Sequence, residues 1–354
     1  MKPDISIIMS VYNGETYLAE AIDSVVKQTF QNWELIIIND CSTDSTSEIL
    51  EEFSRKDARI KVYPNEVNLK LPTSLNKAIS LCSGKYIARM DADDICLPER
   101  FEKQYQFMEE HADVALSSCR FMTVKNGVYA SGGAGGRCDF EALKAMLLVT
   151  NPILHPGVIA KADVMKALNY DTTLTCTEDL ELWTRMVLNN QKMQILPECL
   201  LIYRLHDKQI TQTTLDRQRT EVLKIEQKYY TALSEEIPAE MQDFYINGIY
   251  FNINADVNQL IQYVKWLRSV THKHFEKDAI NYALFEVLAE QKRRSMSKAD
   301  VYKAMLVFSP FFLAKEIFRR KRMAKKDIEK CMKIANDLGL KQTSGTKEYP
   351  IFEK

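Results

Sequence analysis

Gly84-Lys85-Tyr86-Ile87-Ala88-Arg89-Met90-Asp91-Ala92-Asp93-Asp94 joins a short apolar run to three carboxylates. Tyr86 to Met90 reads as a buried strand, with the aspartates at its exit. The three cannot all be buried unpaired, because each buried charge is costly. Either water or a cation must solvate them. At the carboxyl edge of a parallel sheet they would stand where ligands of open α/β sheets bind. Hard oxygen donors suit Mg²⁺ or Mn²⁺, which in turn would hold a diphosphate. A polar turn that merely ends a strand competes with this reading, and the spacing of Asp91 and Asp93 alone does not separate the two.

The flanking sequence supplies the sheet. Ile5 to Val11 is a β-rich apolar run broken by Tyr12-Asn13-Gly14. A helix is expected over 15–29, because Leu18, Ala21, Ile22, Val25 and Val26 fall at helical spacing. Trp33 to Ile38 is a second strand, ending at Asn39-Asp40. Ser45 with Glu48 fits a capping box for a helix through Phe53. Ile60 to Tyr63 is a third strand, and Leu75, Ala78, Ile79 and Cys82 mark a third helix. Strand and helix therefore alternate up to the aspartates, which predicts a parallel, doubly wound α/β sheet.

Downstream, Pro98 opens a helix reaching His111, and Val114 to Ser118 is a strand. Asn126-Gly127 between two apolar runs signals a hairpin. Ser131 to Gly136 reads as a lid or a plain connection. Helices are expected over 139–149 and 178–189, and a strand over 200–205. Beyond Thr211 the periodicity is helical. The expected organisation is an α/β domain over 1–211, an α-helical appendage over 212–340 and a loosely held polar tail over 341–354.

With 354 residues and 46% hydrophobic side chains the chain is globular in character, and its net charge of -1 gives no support for a nucleic-acid partner. Its eight cysteines contain no C-x-x-C pair, so they predict neither a zinc site nor a disulfide framework, but reduced thiols of a cytoplasmic protein. Acidic and turn residues come too early for a signal peptide. The longest apolar stretch, Ala304 to Ala314, is too short to span a bilayer and contains Pro310.

Four segments in order, Ser10-Val11-Tyr12-Asn13-Gly14, Asn39 to Asp44, Met90 to Asp94 and Thr177-Glu178-Asp179, resemble the family 2 glycosyltransferases of GT-A fold. The resemblance covers about residues 5–211. It implies a Rossmann-like, mostly parallel central sheet and an inverting transfer from a UDP-sugar donor to a glycan acceptor, with Mn²⁺ or Mg²⁺ as cofactor. It places Val11, Tyr12 and Asn13 beside the base, and gives Asp40 to a uracil N–H, although Asp40 could instead cap a helix. It sets Asp91 near the ribose and metal and Asp93 on the metal. Arg89 is a counter-charge for the diphosphate or else a surface ion pair. Asp94 is left to cap the Pro98 helix. Asp179 matches the family's catalytic base, although a carboxylate opening a helix is also favoured by the macrodipole alone, the role that Glu178, on the acceptor side, would fill. His155 resembles a position lining the acceptor side, although a lone histidine is more often structural, and Arg204 and His206 resemble a closing segment that reaches the diphosphate or metal.

In two places the chain departs from that pattern: Lys70 and Asn169 stand where relatives tend to carry glycine. Outside the resemblance, Phe311 to Arg322, with Lys325 and Lys326, joins aromatic to basic residues. It reads either as a packed helix with a solvated basic end or as a surface for an anionic membrane at the inner face of the cell, where a lipid-linked acceptor would lie. Two other functions compete: a nucleotidyltransferase, which would want a glycine- and lysine-rich phosphate loop that Tyr12-Asn13-Gly14 is not, and a non-catalytic nucleotide-sugar-binding scaffold.

Overall fold

The computed structural model describes residues 2–131, 138–206, 215–232, 236–246, 256–271, 274–294, 297–306, 308–346 and 349–353. The glycine-rich segment read as a lid or connection lies outside them but for Ser131.

The first half alternates as expected: β1 (Ile5–Val11), α1 (Leu18–Val26), β2 (Trp33–Asn39), α2 (Thr46–Lys56), β3 (Ile60–Pro64), α3 (Leu71–Leu81) and β4 (Tyr86–Arg89). Strands β3, β2, β1 and β4 lie side by side and parallel. Alternate residues feed two cores. Ile8, Ile36, Ile38 and Ile87 pack on one face with Leu75 and Ile79 of α3. Ile5, Ile7, Met9, Leu35 and Ile37 pack on the other with Leu18, Ile22 and Val25 of α1. Burial on both faces is why these strands read as continuous apolar runs.

Next come β5 (Ile95–Cys96), α4 (Arg100–Glu110), β6 (Val114–Lys125), β7 (Val128–Ser131), α5 (Phe140–Met146), a short 3₁₀ turn (His155–Gly157), β8 (Ile159–Lys161), α6 (Ala162–Leu168), α7 (Glu178–Leu188) and β9 (Lys192–Arg204). The expected short strand at Val114 runs on through Lys125. It turns at Asn126 and Gly127, both at positive φ, and Lys125 pairs with Val128 across the hairpin. β8 lies antiparallel between β4 and β6, and β9 runs parallel to β6.

Two local expectations are corrected. Ser45 makes no side-chain cap on α2; Asp44 Oδ1 accepts from Thr46 N at 3.1 Å instead. The polar segment 341–354 is not a loose tail. It forms β10 (Lys341–Thr346) and β11 (Tyr349–Glu353), and β11 pairs antiparallel with β7. Phe352 packs with Met122, Cys331, Ala335 and Leu340, so one buried aromatic ties the hairpin down and covers what would be an open edge at β7.

The C-terminal helices, among them Leu215–Ala232, Val257–Thr271 and Lys277–Arg294, continue the α3-side core. Tyr229 and Tyr230 donate to the carbonyls of Lys144 and Leu148, each at 3.2 Å, so this region is seated on α5.

Candidate active site

The loops after β1 and β2 are stitched together at the carboxyl edge. Asn13 Oδ1 accepts from Thr43 N at 2.8 Å, Asn13 N donates to Ser42 Oγ at 3.0 Å, and Gly14 N donates to Thr46 Oγ1 at 2.9 Å. The turn at Gly14 is tight: a Cβ there would lie 2.4 Å from Val11 Cγ2. Val11 is buried, whereas Tyr12 is 53% exposed on the rim.

Asp40, buried at the end of β2, caps no helix. Its Oδ1 accepts from Asn65 Nδ2 and Leu69 N and its Oδ2 from Lys70 N, at 2.8, 2.8 and 2.9 Å. Three of the roughly four lone-pair positions of a carboxylate are thereby filled, leaving room for one further donor. Lys70, whose N–H serves Asp40, has φ 69 and ψ 163, and Asn169 has φ 51 and ψ 169. Both lie in or beside a backbone region that is nearly exclusive to glycine, at a cost of about 1–3 kcal/mol each. Both departures from the family pattern thus fall where a glycine would relieve strain.

Asp91, Asp93 and Asp94 follow β4, and each offers a carboxylate oxygen within 4.8 Å of the others. Asp94 is fully buried. Its Oδ1 accepts from Arg204 N at 2.8 Å, so it does not cap the Pro98 helix, and its Oδ2 has no hydrogen-bond partner among the described residues. Burial raises the Asp94 pKa well above the usual range, and the Asp91 and Asp93 charges add to it. Burial likewise pushes Asp91 up to about 6, against the pull of Arg89. A crowded set of hard oxygens with one orphaned lone pair fits a divalent cation.

Arg89 is not on the surface: it is 4% exposed and pairs with Asp91. Beneath it lies Arg100, fully buried, whose Nη2 donates to the carbonyls of Arg89 at 2.9 Å and Val158 at 3.2 Å. Gln104 donates to the Gly157 carbonyl at 2.9 Å, so α4 fixes both the strand that delivers the aspartates and the 3₁₀ turn beside it.

The end of β9 closes over this cluster. Arg204 Nε donates to the Asp93 carbonyl at 2.8 Å, its Nη2 pairs with Glu20 at 2.6 Å, and its guanidinium lies over the Tyr17 ring. His206 Nε2 lies 2.8 Å from Asp93 Oδ2 and its ring packs against Tyr17.

On the far side, the start of α7 presents Glu178 and Asp179. Asp179 Oδ2 accepts from Asn151 Nδ2 at 2.7 Å and its Oδ1 from Leu180 N at 2.7 Å. Burial raises its pKa, and both donors oppose that. The Asp179 charge also raises Asp91, so the two carboxylates are near neighbours. Glu178 is 4% exposed, and burial reinforced by Asp179 pushes it up to about 8. Burial thus favours its protonated form, in which it would lend no charge to the helix end. Its Oε2 has no partner among the described residues. His155 is buried between Tyr170 and Trp183, with Nε2 2.8 Å from the Tyr170 hydroxyl and Nδ1 3.8 Å from Glu178 Oε1. Burial and the Arg89 charge hold its pKa well below the ordinary value, so the ring is neutral. It is thus a buried, neutral ring beside Glu178.

The site thus combines a carboxylate cluster fit for a cation with a nearby carboxylate, Asp179, held by two donors. Sequence reading missed Arg100, Asn151, Tyr170, Tyr17 and Glu20. Only the proximity of Tyr17 and Glu20 to the Tyr12-Asn13-Gly14 break could have hinted at any of them.

Residues 6–160 match the family model described as Glycosyl transferase family 2. The chain is 33% identical over 253 residues to an uncharacterized glycosyltransferase of Methanocaldococcus jannaschii, covering 71% of this chain and 84% of that one. It is 34% identical over 218 residues to the O-antigen biosynthesis glycosyltransferase WbnJ of Escherichia coli, covering 60% and 83%. The crystal structure of S. aureus TarS 1-349 in complex with UDP-GlcNAc superposes with a TM-score of 0.55 at 17% identity, covering 100% of this chain and 99% of that one, a likeness of fold.

Proposed function

The chain belongs to glycosyl transferase family 2 and is a glycosyltransferase of GT-A fold, and from that premise we propose that it transfers a sugar, with inversion, from a UDP-sugar to a glycan acceptor of a cell-surface polysaccharide such as a capsule or lipopolysaccharide. The observation that carries this reading is the cluster of Asp91, Asp93 and Asp94 at the exit of β4, with the Asp179 carboxylate near enough for its charge to act on Asp91. The O-antigen relative and the TarS complex with UDP-GlcNAc support the product class and the donor. Family membership sets aside the nucleotidyltransferase and scaffold alternatives.

In this reading Val11, Tyr12 and Asn13 flank the base, and Asp40 gives its remaining lone pair to the uracil N–H. Asp91, Asp93 and His206 would hold Mn²⁺ or Mg²⁺, which when bound supplies positive charge to the diphosphate. Arg89 balances Asp91, and Arg204 clamps the loop through the Asp93 carbonyl. The acceptor hydroxyl lies between Asp179 and the anomeric carbon. Asp179 takes its proton as the new bond forms, and the bond to the diphosphate breaks with its electron pair leaving on UDP. Buried Glu178, with one oxygen unpartnered, meets the acceptor as a neutral group. A panel of UDP-sugars should include one that stabilises the protein in a thermal shift with Mn²⁺ and yields UDP faster when a glycan acceptor is added. If no UDP-sugar shifts the melting and none is turned over, the donor assignment fails.

We propose further that the helix Pro310–Asp337 docks on an anionic bilayer carrying a lipid-linked acceptor. Phe311 and Phe318 are 81% and 71% exposed, and Leu306 just before the helix is 84% exposed. Phe311, Phe318, Arg322 and Lys325 share a helix face by their spacing. Phe312 is not part of that surface, since it turns inward onto Phe285 and Phe308. No helix among the described residues is long and apolar enough to cross a membrane. The protein should float with anionic liposomes at low salt and be released as salt screens the contact. Failure to float at low salt sinks the docking reading and leaves the transferase reading intact.

A further inference from the structure

Asp179 is held by a side chain from a different part of the chain. Asn151 follows α5, and its Oδ1 accepts from Ile153 N at 3.3 Å. That bond turns its Nδ2 toward Asp179 Oδ2, 2.7 Å away. Leu180 N occupies the other carboxylate oxygen. With a donor on each oxygen, rotation of the carboxylate about its terminal bond is fixed. The segment carrying Asn151 is anchored without that amide: the Leu148 carbonyl accepts from the Tyr230 hydroxyl at 3.2 Å, and Thr150 N donates to the Met146 carbonyl at 2.9 Å. The Asn151 amide thus splits its roles, its Oδ1 holding the turn at Ile153 N and its Nδ2 given to Asp179.

We infer that Asn151 is a positioning residue of the transfer reaction, aiming the Asp179 carboxylate and favouring its charged form. The inference rests on Asp179 being the base. A fixed carboxylate saves the rotational freedom that a loose one would lose at each turnover. A donor on the charged form keeps the base ionised at a lower pH. The other groups around Asp179 are Glu178 on its own helix, Arg89 and Asp91 from β4 and its exit, and Tyr170 from the loop before α7.

The experiment pairs two substitutions with two readouts on the full chain. Asn151→Ala removes the donor. Asn151→Asp keeps the shape but offers a donor only while protonated. The titration of Asp179 is followed by ¹³C carboxyl NMR, its resonance assigned by its absence in Asp179→Asn. Transfer is followed as UDP release from whichever UDP-sugar the thermal-shift panel selects. Asn151→Ala should raise the Asp179 midpoint by about one pH unit, the scale set by a hydrogen bond to a charged group. It should also lower kcat by roughly tenfold or more with donor KM unchanged. Asn151→Asp should lose activity as pH rises, where the wild type holds steady, because two carboxylates then oppose each other. If Asn151→Ala folds less well, the isosteric Asn151→Asp carries the test. An Asp179 midpoint and a pH–rate profile unmoved in both variants overturn the inference. If Asp179→Asn itself stays active, the base assignment fails first and the role of Asn151 falls with it.

Discussion

Asp179→Asn is expected to lower sugar transfer by at least about a hundredfold, with donor binding and folding near wild type. General-base assistance contributes about two to four orders of magnitude, so its loss should cost no less than about 2.7 kcal/mol of barrier. The substitution keeps the shape, and the amide oxygen it introduces can still accept from Asn151 Nδ2, while its NH2 forfeits the bond from Leu180 N, so an unchanged circular dichroism spectrum is needed to read the loss as one of basicity. Glu178→Gln is the companion. Glu178, pushed up to about 8, is neutral at pH 7, and Gln copies the neutral form, so transfer should fall far less. The same variant carries a stability signature. The unfolded chain releases this proton near the ordinary value of 4.5, whereas the folded chain keeps it to about 8. The folded state therefore binds more protons across that window, and stability declines as pH rises through it. Glu178→Gln should flatten that decline in melting temperature. Near-normal transfer by Asp179→Asn, or a dead Glu178→Gln, would show that the base has been assigned to the wrong carboxylate.

The two ends of this chemistry are legible in the sequence, while the middle is not. β1, β2 and β4 announce themselves because both faces are buried, so Ile5 to Val11 and Trp33 to Asn39 are mostly apolar on both faces. The Asn126-Gly127 turn is as plain, since it needs two residues tolerant of positive φ. What stayed hidden depends on contacts distant in sequence. Arg100 looks like an ordinary polar residue early in a helix, and only folding brings it beneath the Arg89 carbonyl. Asn151 and Asp179 meet across separate loops. The C-terminal hairpin pairs Phe352 with Tyr129 across most of the chain, and its polar sequence gives no hint of a partner. Burial also changed two meanings: Arg89 became an internal balance for Asp91, and Glu178 a neutral acid.

Asp93→Ala is expected to abolish the metal dependence of UDP binding while leaving the fold intact. The carboxylate is only half-buried, so its removal leaves no closed cavity in a core. The backbone at this position is held independently, because Arg204 Nε donates to the Asp93 carbonyl at 2.8 Å and Arg204 N to Asp94 Oδ1 at 2.8 Å. Lost instead are one oxygen of the three-carboxylate cluster and the partner of His206 Nε2. Wild-type protein should bind UDP more tightly in Mn²⁺ than in a chelator, by roughly tenfold or more, or about 1.4 kcal/mol. In Asp93→Ala the two affinities should coincide, with an unchanged circular dichroism spectrum. His206→Ala, which spares the carboxylates, should lose only part of the Mn²⁺ effect. Calorimetry that finds undiminished UDP affinity for Asp93→Ala in Mn²⁺ would remove this aspartate from the cation site. The adjoining Asp91 and Asp94 would then have to hold the charge without it, and the nucleotide would need its counter-charge from Arg204 or Arg89.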